Sequence, residues 1–295
     1  MWYIPHPFLW RAGVPIWHLI MSNIDSKTVA SFGDEWARFD QTGMPDDEAR
    51  KVFDEYFAVF PWSDLPPDAE GFDMGCGSGR WAKIAALRVG RLHCIDPSDA
   101  IEIAKSNLAN HANVSFHRAS VDDQCLPPNS QDFGYSLGVL HHVPDTTAAI
   151  RSCVELLKPG APLLLYLYYA FDNRPRWFRA LWRISDGARR LICRMPAWGK
   201  HATTDLIALM VYLPLAKLSL LVERLGLKAT SIPLYYYRNH SFYTMRTDAR
   251  DRFGTPLEQR FTRQQIAAMM ERAGLVDVRF SDAAPYWCVV GVKQA

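Results

Sequence analysis

Three glycines at alternate positions, with an acid on either side, are the residues of this chain best suited to binding a ligand. Gly75, Gly77 and Gly79 follow Asp73 in the segment FDMGCGSGR. Without a Cβ the backbone can turn sharply and a ligand can approach it, and amides at the start of a helix favour negative groups. About twenty residues after the glycines, Asp96 ends the next apolar run, where a carboxylate can accept hydrogen bonds from both ribose hydroxyls. The pattern predicts a nucleoside-containing cofactor.

The spacing of the glycines narrows the choice of cofactor. In the dinucleotide fingerprint two residues separate the second and third glycines, and that third position is occupied here by Arg80. No Gly-Lys-Ser/Thr follows the loop, as a P-loop would require. We therefore expect neither NAD, nor FAD, nor a P-loop nucleotide.

The elements that must position this loop alternate between short apolar runs and helical stretches. From residue 70 the pattern predicts five strands, EGFDM, RLHCID, NVSFHRA, FGYSLGVLHHV and APLLLYLYYA. A later helix, with Thr262 as N-cap and Gly274 as C-cap, precedes two strands, LVDVRFSD and YWCVVGVK, that we expect to pair antiparallel. This order predicts an α/β fold, a doubly wound and mostly parallel seven-stranded sheet with helices on both faces.

The chain divides into four predicted segments. They are an N-terminal arm with helices that cover the cofactor site (1–67), the cofactor-binding core (68–170), a largely helical insertion that forms a substrate lid (171–260), and a final helix with the antiparallel strand pair (261–295). Residues 1–20 are apolar but lack a basic region and contain three prolines, so we interpret them as neither a signal peptide nor a membrane span. Met21 is an alternative start.

Composition excludes several classes of function. The 295 residues are 49% hydrophobic with a formal net charge of +2, unlike the strongly basic footprint of a dedicated nucleic-acid-binding protein. The six cysteines have no CxxC spacing, and no acidic or His cluster has the spacing of metal ligands. We therefore expect no metal, no disulfide scaffold, and a cytoplasmic location with reduced thiols.

Five segments, in order, resemble one enzyme family. FDMGCGSGRWA is similar to motif I of the class I S-adenosylmethionine (SAM)-dependent methyltransferases, and IDPS to their ribose-binding acid. ASVDDQCLP resembles the adenine loop, SLGVLHHVPD the fourth-strand motif, and LKPGAPLLLY the turn into strand five. The likeness is to the small-molecule branch that includes ubiquinone/menaquinone C-methyltransferase-like proteins. It covers the core and residues 262–293, and it implies SAM as cofactor and S-adenosylhomocysteine as product.

The resemblance also implies roles for individual residues. The implied cofactor-site residues are Asp73, Gly75, Cys76, Gly77, Gly79, Asp96, Pro97, Ser120, Val121, Asp122, Leu137 and Gly138. For Asp73 the resemblance implies either that it orients the loop or that it contacts the methionine ammonium group. Many relatives have Asp at the position of Ser120, so the adenine contact is expected to move to Asp122. Extra residues in DDQCLPP put the register of that loop in doubt.

His142 is the candidate general base, and a packing or capping role is its alternative. A base is needed only if the acceptor nucleophile carries a proton. The candidate substrate contacts, chosen because ligands bind where the strands of open α/β sheets end, are His141, His142, Tyr168, Tyr169, Asp172, Asn173, Tyr243 and Arg246. Arg174 and Arg176, with Arg246, are candidates to hold a carboxylate or phosphate.

The insertion is rich in aromatic residues, which predict either an aromatic wall for the acceptor or the insertion's own core. Its residues 172–205 hold eight basic and three acidic side chains, a net charge of +5. Basic residues interleaved with Trp and Leu suit an anionic membrane surface, although at this stage we favour a solvated helix face or a dimer contact. The apolar run 206–216 is expected to be too short to span a bilayer.

The sequence leaves several functions open. The first is methyl transfer to an oxygen, nitrogen or carbon of a small, aromatic or amphiphilic metabolite. The second is a SAM-binding partner protein without turnover. The third is methylation of a membrane-embedded lipid or quinone. We expect a small-molecule substrate and no nucleic acid, and we leave a membrane contact and a homodimer open.

Overall fold

The computed structural model describes residues 22–295, so the interpretations of the first twenty residues and of Met21 lie outside the described part. Its seven strands are β1 Glu70–Met74, β2 Arg91–Ile95, β3 Val114–His117, β4 Phe133–Leu137, β5 Pro162–Tyr166, β6 Leu275–Phe280 and β7 Cys288–Lys293. They form one sheet in the order β3-β2-β1-β4-β5-β7-β6. All pairs are parallel except those of β7, which runs antiparallel to both β5 and β6. The predicted fold class and the antiparallel final pair are confirmed.

Helices cover both faces of this sheet and continue into the inserted segment. They are α1 Ser26–Arg38, α2 Asp46–Tyr56, α3 Ala82–Ala85, α4 Ala100–Asn107, α5 Thr146–Leu156, α6 Arg176–Ile192, α7 Ala197–Ile207, α8 Leu213–Arg224, α9 Phe242–Gly254 and α10 Arg263–Arg272. The helix α3 is short, because after it the chain tightens into a 3₁₀ turn over Ala86–Arg88.

Side chains on alternate strand positions fill two apolar cores. Leu163 and Leu165 of β5 pack with the helices α5 and α10 on one face, whereas Leu164 packs with α2, α3 and α4 on the other. All three are fully buried. The alternation follows from the two-residue period of a strand, and it leaves the carboxyl ends of β1, β2, β4 and β5 free to form a site.

Helix ends are fixed by the side chains that the sequence indicates. Thr262 accepts a hydrogen bond from the Gln265 amide at 3.2 Å, and Gln265 Oε1 accepts one from the Thr262 amide at 2.9 Å, which completes a capping box on α10. At the other end, Ala273 rather than Gly274 is the C-cap. Gly274 is the next residue, with φ +90°, the left-handed position that glycine accepts without a Cβ penalty.

A buried polar contact joins α1 to α9. The fully buried Arg250 guanidinium donates to Asp34 Oδ2 at 2.8 Å and to Ser31 Oγ at 3.3 Å. A Cβ on Gly254 would lie 1.7 Å from Arg250 Nη1, so only glycine fits there. The polar residues Ser31 and Glu35 of α1 are buried at this contact.

The inserted segment, residues 171–260, has a small core of its own and is called the lid below. Its buried apolar residues are Ile192, Ala208, Tyr212, Ala216, Met245, Ala249 and Phe253. The helices α7 and α8 run on through a π-helical turn at Ala208–Tyr212 as one helix, Ala197–Arg224.

Among residues 22–295 this 28-residue helix is the one that is long and apolar enough, by length and composition, to cross a membrane. The expectation drawn from the run 206–216 was therefore wrong on length, because the helix extends well beyond that run.

Candidate active site

A cavity of about 830 Å³ lies where β1, β2, β4 and β5 end, and helices α1 and α9 close it from above. Its lining runs from the glycine loop through the β4 and β5 ends to the tyrosines and carboxyl groups of the lid. Open α/β sheets bind their ligands at this edge. The described part of the chain therefore places the glycine loop and side chains of the lid around one cavity.

The glycine loop forms one wall of the cavity. Its turn is held by hydrogen bonds from the Gly75 and Cys76 amides to the Ile95 carbonyl, at 2.7 and 3.0 Å. Gly75 has φ +79°, and a Cβ on it would lie 2.4 Å from the Val139 side chain. Trp36 of α1 covers the loop, because a Cβ on Gly77 would lie 3.0 Å from its indole nitrogen. The loop thus leaves a bare backbone facing the cavity.

Asp96 is held rigidly beside that loop. Its Oδ2 accepts a hydrogen bond from the Gly77 amide at 2.9 Å, and its Oδ1 accepts two from Ser98, from the amide at 2.8 Å and from Oγ at 2.6 Å. Burial raises the pKa of the Asp96 carboxyl. One lone pair of Oδ2 is left over in this arrangement, so the carboxylate can accept a further hydrogen bond from the cavity.

Nine of the twelve predicted cofactor contacts line the cavity: Gly75, Cys76, Gly77, Asp96, Pro97, Ser120, Val121, Leu137 and Gly138. Three do not line it. Asp73 lies buried beneath the loop, and burial raises its pKa to about 8, so it is neutral at pH 7. Gly79 packs towards Leu108, and Asp122 turns to bond the Ser120 hydroxyl and the Asn23 amide. The predicted contacts of Gly79 and Asp122 with the cofactor are therefore corrected to supporting positions, whereas the place of Asp73 beneath the loop fits the loop-orienting role, one of its two expected roles.

His142, at the other end of the cavity, has the form of a proton acceptor. Its Nδ1 lies 2.6 Å from the Leu257 carbonyl, which can only accept, so Nδ1 carries the hydrogen. Its Nε2 has no hydrogen-bond partner among residues 22–295 and lies 3.9 Å from Asp251 Oδ1. Burial lowers the pKa of His142, so the imidazole is neutral at pH 7 with a free lone pair on Nε2.

Two carboxyl groups of the lid accept hydrogen bonds from tyrosine hydroxyls. Asp251 accepts a hydrogen bond from the Tyr168 hydroxyl, and Asp248 accepts one from Tyr237 at 2.8 Å. Burial raises the pKa of Asp248 to about 6. Burial also raises the pKa of Tyr168 and Tyr237 well above its usual value, so both phenols stay neutral donors.

Several predicted substrate contacts do not reach the cavity. Tyr168, Tyr169 and His142 line it, but His141 is fully buried behind them, with its ring 3.9 Å from that of Tyr168. Asn173 is exposed outside the cavity. The correction for His141 follows from the 3₁₀ turn Leu140–His142, which points consecutive side chains in different directions.

The remaining three predicted substrate contacts, Asp172, Tyr243 and Arg246, form hydrogen bonds with other parts of the protein. Asp172 accepts hydrogen bonds from the Arg263 amide and from the Trp287 indole, and Tyr243 accepts one from the Gln41 amide at 2.9 Å. Arg246 forms two hydrogen bonds of 3.0 Å with Asp205. Their predicted roles in substrate binding are therefore corrected, because each side chain is turned away from the cavity.

The aromatic wall forms in part. Tyr166, Tyr235, Tyr236 and Tyr237 line the cavity, and so does Arg174. Other aromatics and arginines of the insertion also line it, among them Phe171, Phe178, Tyr212 and Arg252, whereas Trp177, Trp182, Phe242 and Arg176 do not.

The sequence pattern missed a number of residues that line the cavity, among them Glu35, Trp36, Tyr56, Arg80, Asp248 and Asp251. The Arg80 guanidinium lies 4.1 Å from the Trp81 ring centre, and its Nε has no hydrogen-bond partner within the described chain. Glu35 is fully buried, and that burial raises its pKa well above the usual value. Arg80 directly follows the glycine loop in sequence, and that position could have indicated it as a site residue. The others come from α1, α2 and α9, whose approach to the loop no local motif indicates.

Within residues 22–295 no three His, Cys, Asp or Glu side chains are grouped so that they could hold a metal ion.

Comparison with known proteins matches part of the chain to methyltransferases. A family model described as a methyltransferase domain matches residues 72–165. Ubiquinone biosynthesis O-methyltransferase of Xanthomonas campestris pv. campestris (strain B100) is 34% identical over 102 residues, which are 34% of this chain and 43% of that protein. The protein of the same name from Nitrosospira multiformis is 31% identical over 105 residues, 35% of this chain and 42% of that protein. The matched part therefore spans less than half the length of these relatives.

Solved structures support the fold. The S-adenosylmethionine-dependent methyltransferase SibL, in its apo form, superposes with a TM-score of 0.50 at 13% identity, covering 84% of this chain and 56% of that one. Residues 72–165 therefore match a methyltransferase domain, and the order of the seven strands is that of the class I methyltransferase fold, which implies the use of SAM.

Proposed function

We propose that the chain is a SAM-dependent methyltransferase that methylates a hydroxyl group of a small, aromatic or amphiphilic acceptor. One observation carries the proposal. A single cavity joins the bare glycine loop and Asp96 at one end to the neutral His142 and the lid tyrosines at the other. Both partners of a methyl transfer thus have a place within one enclosed space, which favours reaction by holding them in a productive geometry.

The residues at the loop end fit SAM. Gly75 and Gly77 would pass under its methionine part and ribose, and Asp96 Oδ2 has a lone pair for a ribose hydroxyl. The free Nε of Arg80 offers a donor for the methionine carboxylate. Ser120 and Val121 lie where the adenine would stack. The donor set therefore suits a group with a carboxylate, a sugar and a base.

When bound, SAM supplies a methyl group on a positively charged sulfur, which an acceptor nucleophile attacks in line with the S–CH₃ bond. His142 prepares that nucleophile, because its free Nε2 can accept the hydroxyl proton as the new bond forms. Asp251, 3.9 Å away, favours the imidazolium that results. The Tyr168 hydroxyl is hydrogen-bonded to Asp251 and fixes its orientation.

The names of the relatives agree with an oxygen acceptor, since both are ubiquinone biosynthesis O-methyltransferases. The alternatives are an amine acceptor, a SAM-binding role without turnover, and a quinone-like or lipid-like acceptor. The acceptor screen below separates the first two from methylation of a hydroxyl group.

The test is turnover with the full chain. SAM and a panel of hydroxylated and amino-bearing aromatic acceptors are incubated with the protein, and release of S-adenosylhomocysteine is measured. We expect release only with a hydroxylated acceptor. Calorimetric binding of SAM without turnover on any acceptor would support the non-catalytic alternative, and turnover with amines alone would contradict the oxygen assignment.

The Asp96→Ala variant tests the cofactor end. We expect its dissociation constant for SAM to rise by roughly tenfold to a hundredfold, because charge-assisted hydrogen bonds to the sugar are lost. Asp99→Ala is the matched control, because Asp99 is exposed, does not line the cavity and pairs with Arg118. Unchanged affinity in Asp96→Ala would remove the ribose assignment.

A further inference from the structure

The lid presents an unusual amount of apolar surface to solvent. Of seventeen large apolar side chains that are exposed among residues 22–295, fourteen lie between residues 177 and 227. Ile184 is 74% exposed and Trp198 is 76% exposed. Exposed apolar patches of this kind mark surfaces that meet a partner or a membrane.

On α6 the exposed apolar residues form one stripe. Trp177, Leu181, Ile184 and Leu191 are separated by four, three and seven residues, which places them on a single face of the helix. Of the buried residues of α6, Asp186 and Arg189 point away from this stripe, and Ile192 is buried beside its C-terminal end. The stripe therefore has no covering element within the described chain.

Arginines border that stripe. Arg176, Arg183 and Arg190 each precede one of its apolar residues, so their seven-residue spacing makes a parallel row beside it. All three are exposed, and Arg176 and Arg183 form no ion pair with the described residues. We name the lid surface as this row together with Trp177, Leu181, Ile184, Leu191 and Trp198.

We infer that the lid surface docks on an anionic lipid membrane. An apolar stripe flanked by arginines is the arrangement that lies in the plane of a membrane interface, with the cations against the lipid phosphates and tryptophans at the headgroup level. The negative surface would supply the counter-charge that Arg176 and Arg183 lack among the described residues, whereas Arg190 is already paired with Asp186.

Charge argues against a second copy as the occupant. The single acidic residue of α6, Asp186, is buried and paired with Arg189 and Arg190. Two copies meeting through this stripe would therefore bring arginine rows together without an opposing carboxylate on either helix.

Packing argues against a transmembrane helix. In Ala197–Arg224 the residues Thr204, Ala208, Tyr212, Ala216 and Ser219 are buried on one face, against the lid core. Asp205 of the same helix is bonded to Arg38 and Arg246. Crossing a bilayer would break these contacts, whereas docking in the interface keeps them.

The docking would bring the cavity close to lipid. Arg174 and Phe178, at the start of α6, line the cavity, and their neighbour Trp177 belongs to the lid surface. An amphiphilic acceptor held in the membrane could reach the cavity from this side. The membrane inference itself does not depend on the methyltransferase proposal.

Vesicle flotation with the full chain tests the inference. The probes are vesicles of phosphatidylglycerol and phosphatidylcholine in a roughly 1:3 ratio, and vesicles of phosphatidylcholine alone. We expect binding to the anionic vesicles, weak binding to the neutral ones, and release at about 0.5 M NaCl, where exposed charges are screened. Equal binding to both kinds of vesicle, or none to either, would overturn the inference.

Two variants locate the contact. Ile184→Glu and the double variant Arg176→Glu/Arg183→Glu should each lower the partition coefficient on anionic vesicles by roughly tenfold or more. Leu87→Glu is the matched control for the first, because Leu87 is equally exposed, at 74%, and lies outside the lid. Arg91→Glu is the control for the second, since Arg91 is exposed on the edge of β2.

Circular dichroism and light scattering without lipid show that each variant is folded and report its oligomeric state. Binding that survives both lid variants would place the contact elsewhere in the chain and overturn the inference. A dimer that Ile184→Glu dissociates, in a protein that does not bind vesicles, would assign the lid surface to a second copy instead.

Discussion

The loop end and the lid end of the cavity are built from different kinds of contact. At the loop end the hydrogen bonds come from backbone amides. Those of Gly75 and Cys76 donate to the Ile95 carbonyl, and that of Gly77 donates to the Asp96 carboxylate. At the lid end the hydrogen bonds join pairs of side chains, such as Tyr168 and Asp251, which are 83 residues apart in sequence. The loop end therefore depends on the order of residues within one short segment, and the lid end on partners that are distant in sequence.

Because of this difference, the two ends of the cavity should be sensitive to different kinds of substitution. A backbone-held site tolerates changes of neighbouring side chains but not of its glycines, whose positive φ and close contacts exclude a Cβ. A site made of buried side-chain pairs loses its geometry when one partner is removed, because the other is then left buried and unpaired. Variants of the two halves should accordingly change different measured quantities.

The largest effect is expected at His142, at the lid end of the cavity. His142→Gln removes the proton acceptor, so kcat on a hydroxylated acceptor should fall by roughly a hundredfold to ten-thousandfold. The dissociation constant for SAM should stay unchanged, because His142 is placed at the acceptor end. Steady-state kinetics and calorimetry measure the two.

The pH profile gives a second readout for the same variant. Burial lowers the pKa of His142, so the neutral, proton-accepting form persists below the usual histidine range. The wild-type rate should therefore decline only below pH 6.5, the ordinary pKa of histidine, and be level above it. That acidic limb should vanish in His142→Gln. His111→Gln, a histidine outside the cavity, is the control, and a wild-type limb retained in the His142 variant would contradict the role as base.

A smaller effect, on stability, is expected from the contact that attaches the lid to α1. Arg250→Leu leaves Asp34 and Ser31 without their buried partner and should lower the free energy of unfolding by about 3 kcal/mol in urea titrations. Gly254→Ala should act through the same group, because its Cβ would lie 1.7 Å from Arg250 Nη1. Arg91→Leu, at an exposed arginine, is the control.

The two substitutions sharpen the comparison when combined. Gly254→Ala should cost much less in the Arg250→Leu background, since the clashing guanidinium is gone. Equal costs in both backgrounds would show that α9 is destabilised for another reason, and would contradict this account of how the lid is attached.

The same contrast explains what the sequence could predict. The sheet, its final antiparallel pair and the loop at Gly75 and Gly77 follow from local patterns, in which strand period and glycine spacing are visible directly. The roles expected of His141 and Arg246 failed because they were assigned from position along the chain alone. A 3₁₀ turn buries the first, and Asp205, 41 residues away, pairs with the second.

Asp248 and Asp251 line the cavity, although the sequence did not predict them as site residues. They lie in α9, whose sequence FYTMRTDARDRFG has no motif and a weak amphipathic pattern, and they enter the cavity only because α9 packs on α1. Such packing is decided by buried contacts between distant segments, like Arg250 with Asp34. A sequence pattern that is read over short windows does not contain that information.

The smallest effect is expected in the sheet layer, at the capping box of α10. Thr262→Ala removes one of the two reciprocal hydrogen bonds and should lower the free energy of unfolding by about 1 kcal/mol. It should leave SAM affinity and acceptor KM unchanged, because α10 packs behind the sheet with α5. Gln264→Ala, an exposed neighbour on the same turn, is the matched control. If Thr262→Ala changed acceptor KM as lid variants do, the loop end and the lid end would not be independent, and the division drawn between backbone-held and side-chain-held halves would fail.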